Sequence, residues 1–152
     1  KELKVVEHEV SRIFAQAGVA VRCLETGIGI TIDPRVIQIR FSGIPLQICK
    51  AEHIVGTPAG CAFVDPSTRP GPWAYIDVTS VKQKEFDAGL PGSGRLLAKV
   101  VAHEVAHLLG LQHLDGGTQG IMTATSRWWN PKLFQYWSDT EIVHIRAALA
   151  PE

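Results

Sequence analysis

The sequence lacks an excess of either charge, a long apolar run and a large number of cysteines. Its 15 basic and 15 acidic residues balance over 152 positions, which argues against the basic surface typical of nucleic-acid-binding proteins. No apolar run approaches the roughly 18 residues that a membrane-spanning helix needs. We therefore expect neither a nucleic-acid partner nor a membrane span.

The few cysteines leave two interpretations open. Cys23, Cys49 and Cys61 cannot all pair with one another, and none has the C-x-x-C spacing of a zinc knuckle or a redox pair. Either all three are small buried hydrophobic residues, or Cys49 and Cys61 form one disulfide while Cys23 lies inside the core. The cysteine pattern alone does not decide the cellular compartment.

The length and composition predict a single domain over residues 1–152. Hydrophobic residues make up 45% of the chain, which is enough for one sizeable core, and the chain is too short to favour two. Apolar residues at helical spacing predict a helix over 3–17. Residues that are β-branched or alternate in polarity predict four strands, at 19–24, 36–41, 60–64 and 73–78.

The C-terminal half is predicted to contain two helices separated by an irregular segment. A break rich in proline and glycine precedes a helix over 95–109, which Gly110 ends. Residues 111–137 show no sustained hydrophobic period. Ser138 and Glu141 have the spacing of a capping box and open a last helix that runs to about residue 150.

One stretch of the predicted helix and its C-terminal turn has the spacing of a metal-binding site. It reads H-E-x-x-H-x-x-G-x-x-H and runs from His103 to His113. Residues four apart lie on one helix face, so His103 and His107 can present imidazole nitrogens to one ion. Gly110 can adopt a positive φ and turn the chain, so that His113 approaches the same ion from another direction. The pattern predicts a zinc site with three histidine ligands.

The acid within this motif, Glu104, predicts what the site does. Three protein ligands leave a fourth position open for water, and zinc lowers the pKa of such a water to roughly 7. Glu104 lies about 100° around the helix from His103 and can accept the proton as a general base, then pass it to a leaving amine. A five-residue H-E-x-x-H match is common by chance, but Gly110 and His113 at fixed positions argue against chance. We therefore expect peptide hydrolysis.

These residues resemble the signature of the metzincin clan of zinc peptidases, an extended zinc motif followed by a turn that contains methionine. Met122, the only methionine of the chain, follows His113 by nine residues and looks like that Met-turn; the alternative is a core methionine that fills a gap. The resemblance implies a zincin-like α+β fold. Its parts are an upper lobe, about residues 1–110, with an N-terminal helix, a small mixed β-sheet and the active-site helix, and an irregular lower lobe, about 111–152, with a C-terminal helix.

The resemblance also implies a function and a setting. It implies a zinc-dependent endopeptidase whose peptide or protein substrate binds in an extended conformation along an edge strand, near 60–64 or 73–78. It implies a secreted or extracytoplasmic location, with a cytoplasmic one as the alternative, and we expect a monomer. The chain departs from subfamily patterns at Leu114, directly after the third histidine, and at Ala124, where astacins have a tyrosine. The resemblance therefore extends to the clan and not to a subfamily.

Two other functions would keep the same metal ligands. A catalytically silent module would bind zinc and a peptide or protein partner, and it would not need Glu104. A hydrolase of some non-peptide amide would use every predicted catalytic residue. Aromatic residues after Met122 either line the substrate pocket or build a small core of the lower lobe; they are Trp128, Trp129, Tyr136 and Trp137.

Overall fold

The structure is a computed structural model. It describes residues 2–23, 36–42, 54–57, 59–63, 73–114, 120–123 and 137–150. Within these ranges the chain forms helices and strands in a mixed order, which confirms the α+β class. They are α1 (Glu2–Ala15), β1 (Gln38–Ser42), β2 (Ile54–Thr57), β3 (Gly60–Phe63), β4 (Trp73–Asp77), α2 (Val78–Asp87), α3 (Arg95–Leu108) and α4 (Asp139–Leu149).

The four strands form one mixed sheet in the order β1-β4-β3-β2. Strand β1 is parallel to β4, and β3 is antiparallel to both of its neighbours. Alternation along β4 separates the two faces: Ala74 and Ile76 are fully buried, whereas Trp73 and Tyr75 are partly exposed. The buried face contacts α3 through β3 and β4.

Helix α1 forms where the apolar period predicts it. Its buried residues recur at helical spacing, and they are Val6, Val10, Ile13 and Phe14. The chain leaves the helix through Gly18, which adopts a φ of 75°, and the amide of Val19 donates to the carbonyl of Phe14 over 3.1 Å. The buried face of α1 packs on α3, so α3 lies between α1 and the sheet.

The strand predicted at 19–24 is wrong over its described part, 19–23, which contains no strand. Val19 and Val21 are partly buried and pack against the core. Their β-branched character therefore corresponds to partial burial in a segment that pairs with no strand. The sheet instead contains β2, which the sequence-based prediction lacks.

Strands β3 and β4 confirm the predictions at 60–64 and 73–78, but both lie inside the sheet. Strand β3 pairs with β2 and β4, and β4 pairs with β1 and β3. Neither can receive an extended substrate along a free edge, so the expectation of an edge strand at these positions is wrong. Among the strands that the structure describes, the outermost one on the β3 side is β2.

Helix α2 is absent from the sequence-based prediction. Asp77 caps it by accepting from the amides of Thr79 and Ser80 at 3.0 and 3.2 Å, which is the usual role of an N-cap aspartate. The only buried residues of α2 are Val81 and Glu85, too few to give the sequence an apolar stripe.

Helix α4 begins with the predicted capping box, in which Ser138 accepts from the amide of Glu141 and the Glu141 carboxylate accepts from the amide of Ser138. Two contacts tie this helix and the residue near its start, Trp137, to α1 and the turn that follows α1. The indole N–H of Trp137 donates to the carbonyl of Ile13 over 2.9 Å, and Arg146 donates to the carbonyl of Ala17 over 2.8 Å. The C-terminal helix is thereby fixed against the N-terminal one.

The cysteines fit neither interpretation in full. Cys61 is disulfide-bonded and fully buried. Cys23 is free and exposed, so it does not lie in the core as expected, because the segment after α1 runs along the surface at that point. Cys49 lies outside the described residues. None of the described helices has both the length and the apolar character needed to cross a bilayer.

Candidate metal centre

Helix α3 is buried on almost every side and holds two of the three motif histidines rigidly. His103 and His107 are each only 1% exposed, and their rings meet edge to face with centroids 4.6 Å apart. Residues on the remaining faces pack into the core, including Leu97 and Val101. Most residues of this helix are buried, on all of its faces.

The start of α3 is capped by a residue of the unpredicted helix α2. Gly94, at the N-cap position of α3, has no side chain to accept from the first amides of the helix. The buried carboxylate of Glu85 accepts instead from the amide of Leu96 over 3.0 Å and from the hydroxyl of Ser93 over 3.1 Å. Helix α2 therefore helps to fix the helix that carries the histidines.

Gly110 turns the chain at the end of α3. It adopts a φ of 88°, and its amide donates to the carbonyl of His107 over 2.8 Å. The amide of Leu111 then donates to the carbonyl of Ala106 over 3.0 Å. This left-handed turn, which favours glycine, brings the half-buried His113 back beside His103 and His107.

The three histidines converge through the same ring atom. The Nε2 atoms of His103, His107 and His113 form an equilateral triangle with sides of 3.1 Å. Nitrogen ligands at 2.0–2.1 Å from a tetrahedral zinc would be separated by about 3.3–3.4 Å. The observed triangle is close to that size, so the three side chains lie near enough to bind one metal ion.

The hydrogen bonds at the other ring nitrogens fix the protonation of two ligands. Nδ1 of His103 lies 2.9 Å from the carbonyl oxygen of Ile121, and Nδ1 of His107 lies 2.9 Å from that of Leu111. A carbonyl oxygen only accepts, so each Nδ1 carries the proton and each neutral ring directs its Nε2 lone pair into the triangle.

Burial keeps these two rings neutral. Desolvation lowers the pKa of His103 to about 3 and that of His107 to about 4, because the charged form loses its hydration. Lone pairs facing one another at 3.1 Å repel unless a cation lies between them. The donor set therefore fits a metal ion better than it fits a cluster of hydrogen-bonded histidines.

Glu104, which directly follows His103 on α3, is a fully buried acid. Its side chain is 0% exposed, and neither carboxyl oxygen has a hydrogen-bond partner within the part of the chain that the structure describes. Burial raises the pKa of Glu104 well above its usual value. A carboxyl buried without a partner costs free energy, which is characteristic of a functional group rather than of a packing residue.

Gly60 makes room for this carboxyl. A Cβ atom at Gly60 would lie 2.9 Å from Oε1 of Glu104 and 3.0 Å from the backbone oxygen of Tyr75. Both distances are shorter than ordinary van der Waals contact, so only glycine lets β3 approach Glu104 this closely. Strand β3 thus forms one wall of the candidate centre.

The turn over residues 120–123 also borders the candidate centre, through the bond between Ile121 and His103. Met122 is fully buried, and its carbonyl accepts from the amide of Leu114 over 3.0 Å. Leu114 and Thr123 also form an isolated parallel bridge. Together with the bond from Ile121 to His103, these contacts join the turn to the segments that carry the first and third histidines.

The motif does not predict several residues that contribute to this centre. The carbonyls of Ile121 and Leu111 act through the backbone, which no side-chain pattern can reveal. Gly60 becomes recognisable only when β3 is placed against α3. Trp137 is 4% exposed and packs on Phe14 with ring centroids 5.3 Å apart, so it is a core residue. The other predicted positions outside the described residues are Ala124, Trp128, Trp129 and Tyr136.

Comparisons with protein-family models, with curated proteins and with solved structures give no match for this chain.

Proposed function

We propose that this protein is a zinc-dependent endopeptidase of metzincin type. His103, His107 and His113 would hold the zinc, and Glu104 would act as general base and acid. The observation that carries the proposal is the combination of the 3.1 Å nitrogen triangle with a fully buried carboxyl that has no partner among the described residues. Metal binding alone requires the triangle but not this carboxyl.

The chemistry of the donor set supports zinc. Imidazole nitrogens suit zinc, and three protein ligands are typical of catalytic sites, whereas structural sites use four. Bound zinc would lower the pKa of a water molecule and polarise the carbonyl of the scissile peptide bond. Glu104 would take a proton from that water and transfer it to the leaving amine nitrogen, a cycle that restores its starting state.

The raised pKa of the Glu104 carboxyl suits this cycle. A higher pKa makes the ionised carboxyl a stronger base, so it takes up a proton from water more readily. Desolvation is the cause of the shift, and β3 contributes to it by closing over Glu104 at Gly60. The sheet therefore supports the chemistry directly as well as supporting the helix.

The arrangement of the sheet supports an extended substrate. Strand β2 is the outermost strand next to β3, and β3 contacts Glu104 through Gly60. A peptide added to the edge of β2 would form main-chain hydrogen bonds with that strand. We place the substrate there, in place of the positions 60–64 and 73–78 that the sequence favoured.

The disulfide at Cys61 supports a secreted or extracytoplasmic location, since disulfides persist in oxidising compartments. The main competing function is a silent zinc-binding module that holds a peptide or protein partner. A partner-binding module would gain nothing from a buried carboxyl that has no hydrogen-bond partner among the described residues, because such a group costs stability.

A peptide library separates these functions. Zinc-loaded wild type and Glu104→Gln are incubated with a diverse set of peptides, and any cuts are mapped by mass spectrometry. Glutamine keeps the size of the side chain but cannot take up the proton, so both proteins should bind zinc while only wild type cuts. Zinc binding without cuts by wild type would favour the silent module, and cuts that persist in Glu104→Gln would remove Glu104 from the mechanism.

A further inference from the structure

A single peptide group joins a buried carboxylate to one of the candidate metal ligands. The carbonyl oxygen of Ile121 lies 2.9 Å from Nδ1 of His103. The N–H of the same peptide group, on Met122, donates to Oε1 of Glu141 over 2.7 Å. Because the amide is planar and conjugated, the two hydrogen bonds act on opposite ends of one electronic unit.

The carboxylate of Glu141 is held at this position from several directions. The side chain is 1% exposed, and its second oxygen, Oε2, accepts from the amide of Ser138 over 2.5 Å. The backbone of Gly120 passes so close that a Cβ there would overlap with both carboxylate oxygens. The turn and the carboxylate are therefore fitted to each other, and glycine is required at the point of contact.

Such an arrangement changes the electron density on the metal side of the histidine. A carboxylate that accepts from an amide N–H forms a short, charge-assisted hydrogen bond, and hydrogen bonds in a chain polarise one another. The Ile121 carbonyl oxygen becomes a stronger acceptor for the Nδ1 proton of His103. A stronger acceptor at Nδ1 fixes the orientation of the ring and makes Nε2 a better metal ligand.

We propose that Glu141 is a positioning residue of the metal centre, acting on His103 through the peptide group between Ile121 and Met122. The inference rests on the proposed metal site and deepens it. Helix α4, which carries Glu141, is in turn fixed to α1 by Trp137 and Arg146. The C-terminal helix thereby contributes to metal binding although none of the three ligands lies on it.

The test compares zinc-loaded wild type with Glu141→Gln and with a matched control, Ser138→Ala. Glutamine has nearly the same shape but no charge, and its amide group must turn a donor towards one of the two N–H groups. Ser138→Ala disturbs the same helix end but leaves the carboxylate on Met122. Zinc affinity is measured by competition with a chromophoric chelator, and the Nδ1–H protons of His103 and His107 are followed by NMR.

We expect zinc to bind about 10-fold more weakly to Glu141→Gln than to wild type, which is the lower end of the range for partners of metal ligands. Ser138→Ala should bind zinc with the affinity of wild type. The Nδ1–H resonance of His103 should move upfield in Glu141→Gln. That of His107, which donates to Leu111 instead, should stay in place and serves as the internal reference.

The outcomes separate this inference from the proposed function. A wild type that binds no zinc contradicts both. If wild type binds zinc and Glu141→Gln keeps both the zinc affinity and the His103 resonance of wild type, only the role of Glu141 is overturned. Equal losses of zinc affinity in Glu141→Gln and Ser138→Ala overturn it too, because the loss of the helix cap then explains both. If Glu141→Gln does not fold, the zinc-loaded wild type decides: the Met122 amide proton must resonate far downfield, and an ordinary amide shift refutes the proposal.

Discussion

Substitution of Gly60 by alanine should separate catalysis from metal binding. The added Cβ would lie 2.9 Å from Oε1 of Glu104 and 3.1 Å from its Cγ. Ordinary contact begins near 3.4 Å, so the carboxyl must move by about 0.5 Å, and a displacement of 1 Å in an active site costs roughly 100-fold. The Tyr75 carbonyl, 3.0 Å from the same Cβ, belongs to a paired strand and prevents the methyl group from moving the other way.

We therefore expect Gly60→Ala to lower kcat about 10-fold, by the same scaling, and to lower stability by about 1–3 kcal/mol through overpacking. Zinc affinity should not change, because the substitution does not touch the histidines. The assay is the rate of cleavage of a fluorogenic peptide, with zinc affinity and urea unfolding measured in parallel.

Gly89→Ala is the matched control. It places alanine at a φ of 72° with no neighbouring atom within 4 Å, so it should lower stability without lowering kcat. A Gly60→Ala protein with the kcat of wild type would refute the contact between β3 and Glu104.

Three further predictions concern the metal and the scaffold. Removal of zinc by a chelator should lower the Tm, since a ligand that binds only the folded state stabilises it; an unchanged Tm would contradict metal binding by the folded protein. Asp77→Ala removes the N-cap of α2 and should cost about 1 kcal/mol in urea unfolding, whereas Asp77→Asn, which keeps the capping oxygen, should restore most of it. Trp137→Phe keeps an aromatic ring against Phe14 but leaves the Ile13 carbonyl without its indole donor, so we expect a loss of about 1–2 kcal/mol in urea unfolding; an unchanged free energy of unfolding would contradict a stabilising role for this hydrogen bond.

The sequence predicts best those elements whose pattern and physical cause are both local in the chain. The apolar period of α1 corresponds to its buried face, and Ser138 with Glu141 forms the expected capping box. Gly110 adopts the positive φ that the motif spacing requires. In each case the pattern and its physical cause lie within a few residues of each other, so a local reading is sufficient.

The features that sequence misses depend on contacts between distant segments. Glu85 caps α3 from another helix, and its position in α2 gives no sign of this. The capping box predicts α4 and accounts for Glu141, so it gives no sign that Glu141 also accepts from the amide of Met122. That partner lies 19 residues away in the chain. Val19 and Val21 are β-branched residues typical of strands, but they are partly buried against the core without belonging to a strand. Tertiary packing decides such cases, and propensity does not record it.

The most direct test of the metal centre is the X-ray absorption spectrum at the zinc edge of the zinc-loaded protein, recorded for wild type and for His113→Ala. The account predicts imidazole scattering from three nitrogens at about 2.0–2.1 Å together with a fourth, exchangeable ligand, and the loss of one imidazole in His113→Ala. A sulfur ligand at about 2.3 Å, or the same number of imidazoles in both proteins, would contradict it.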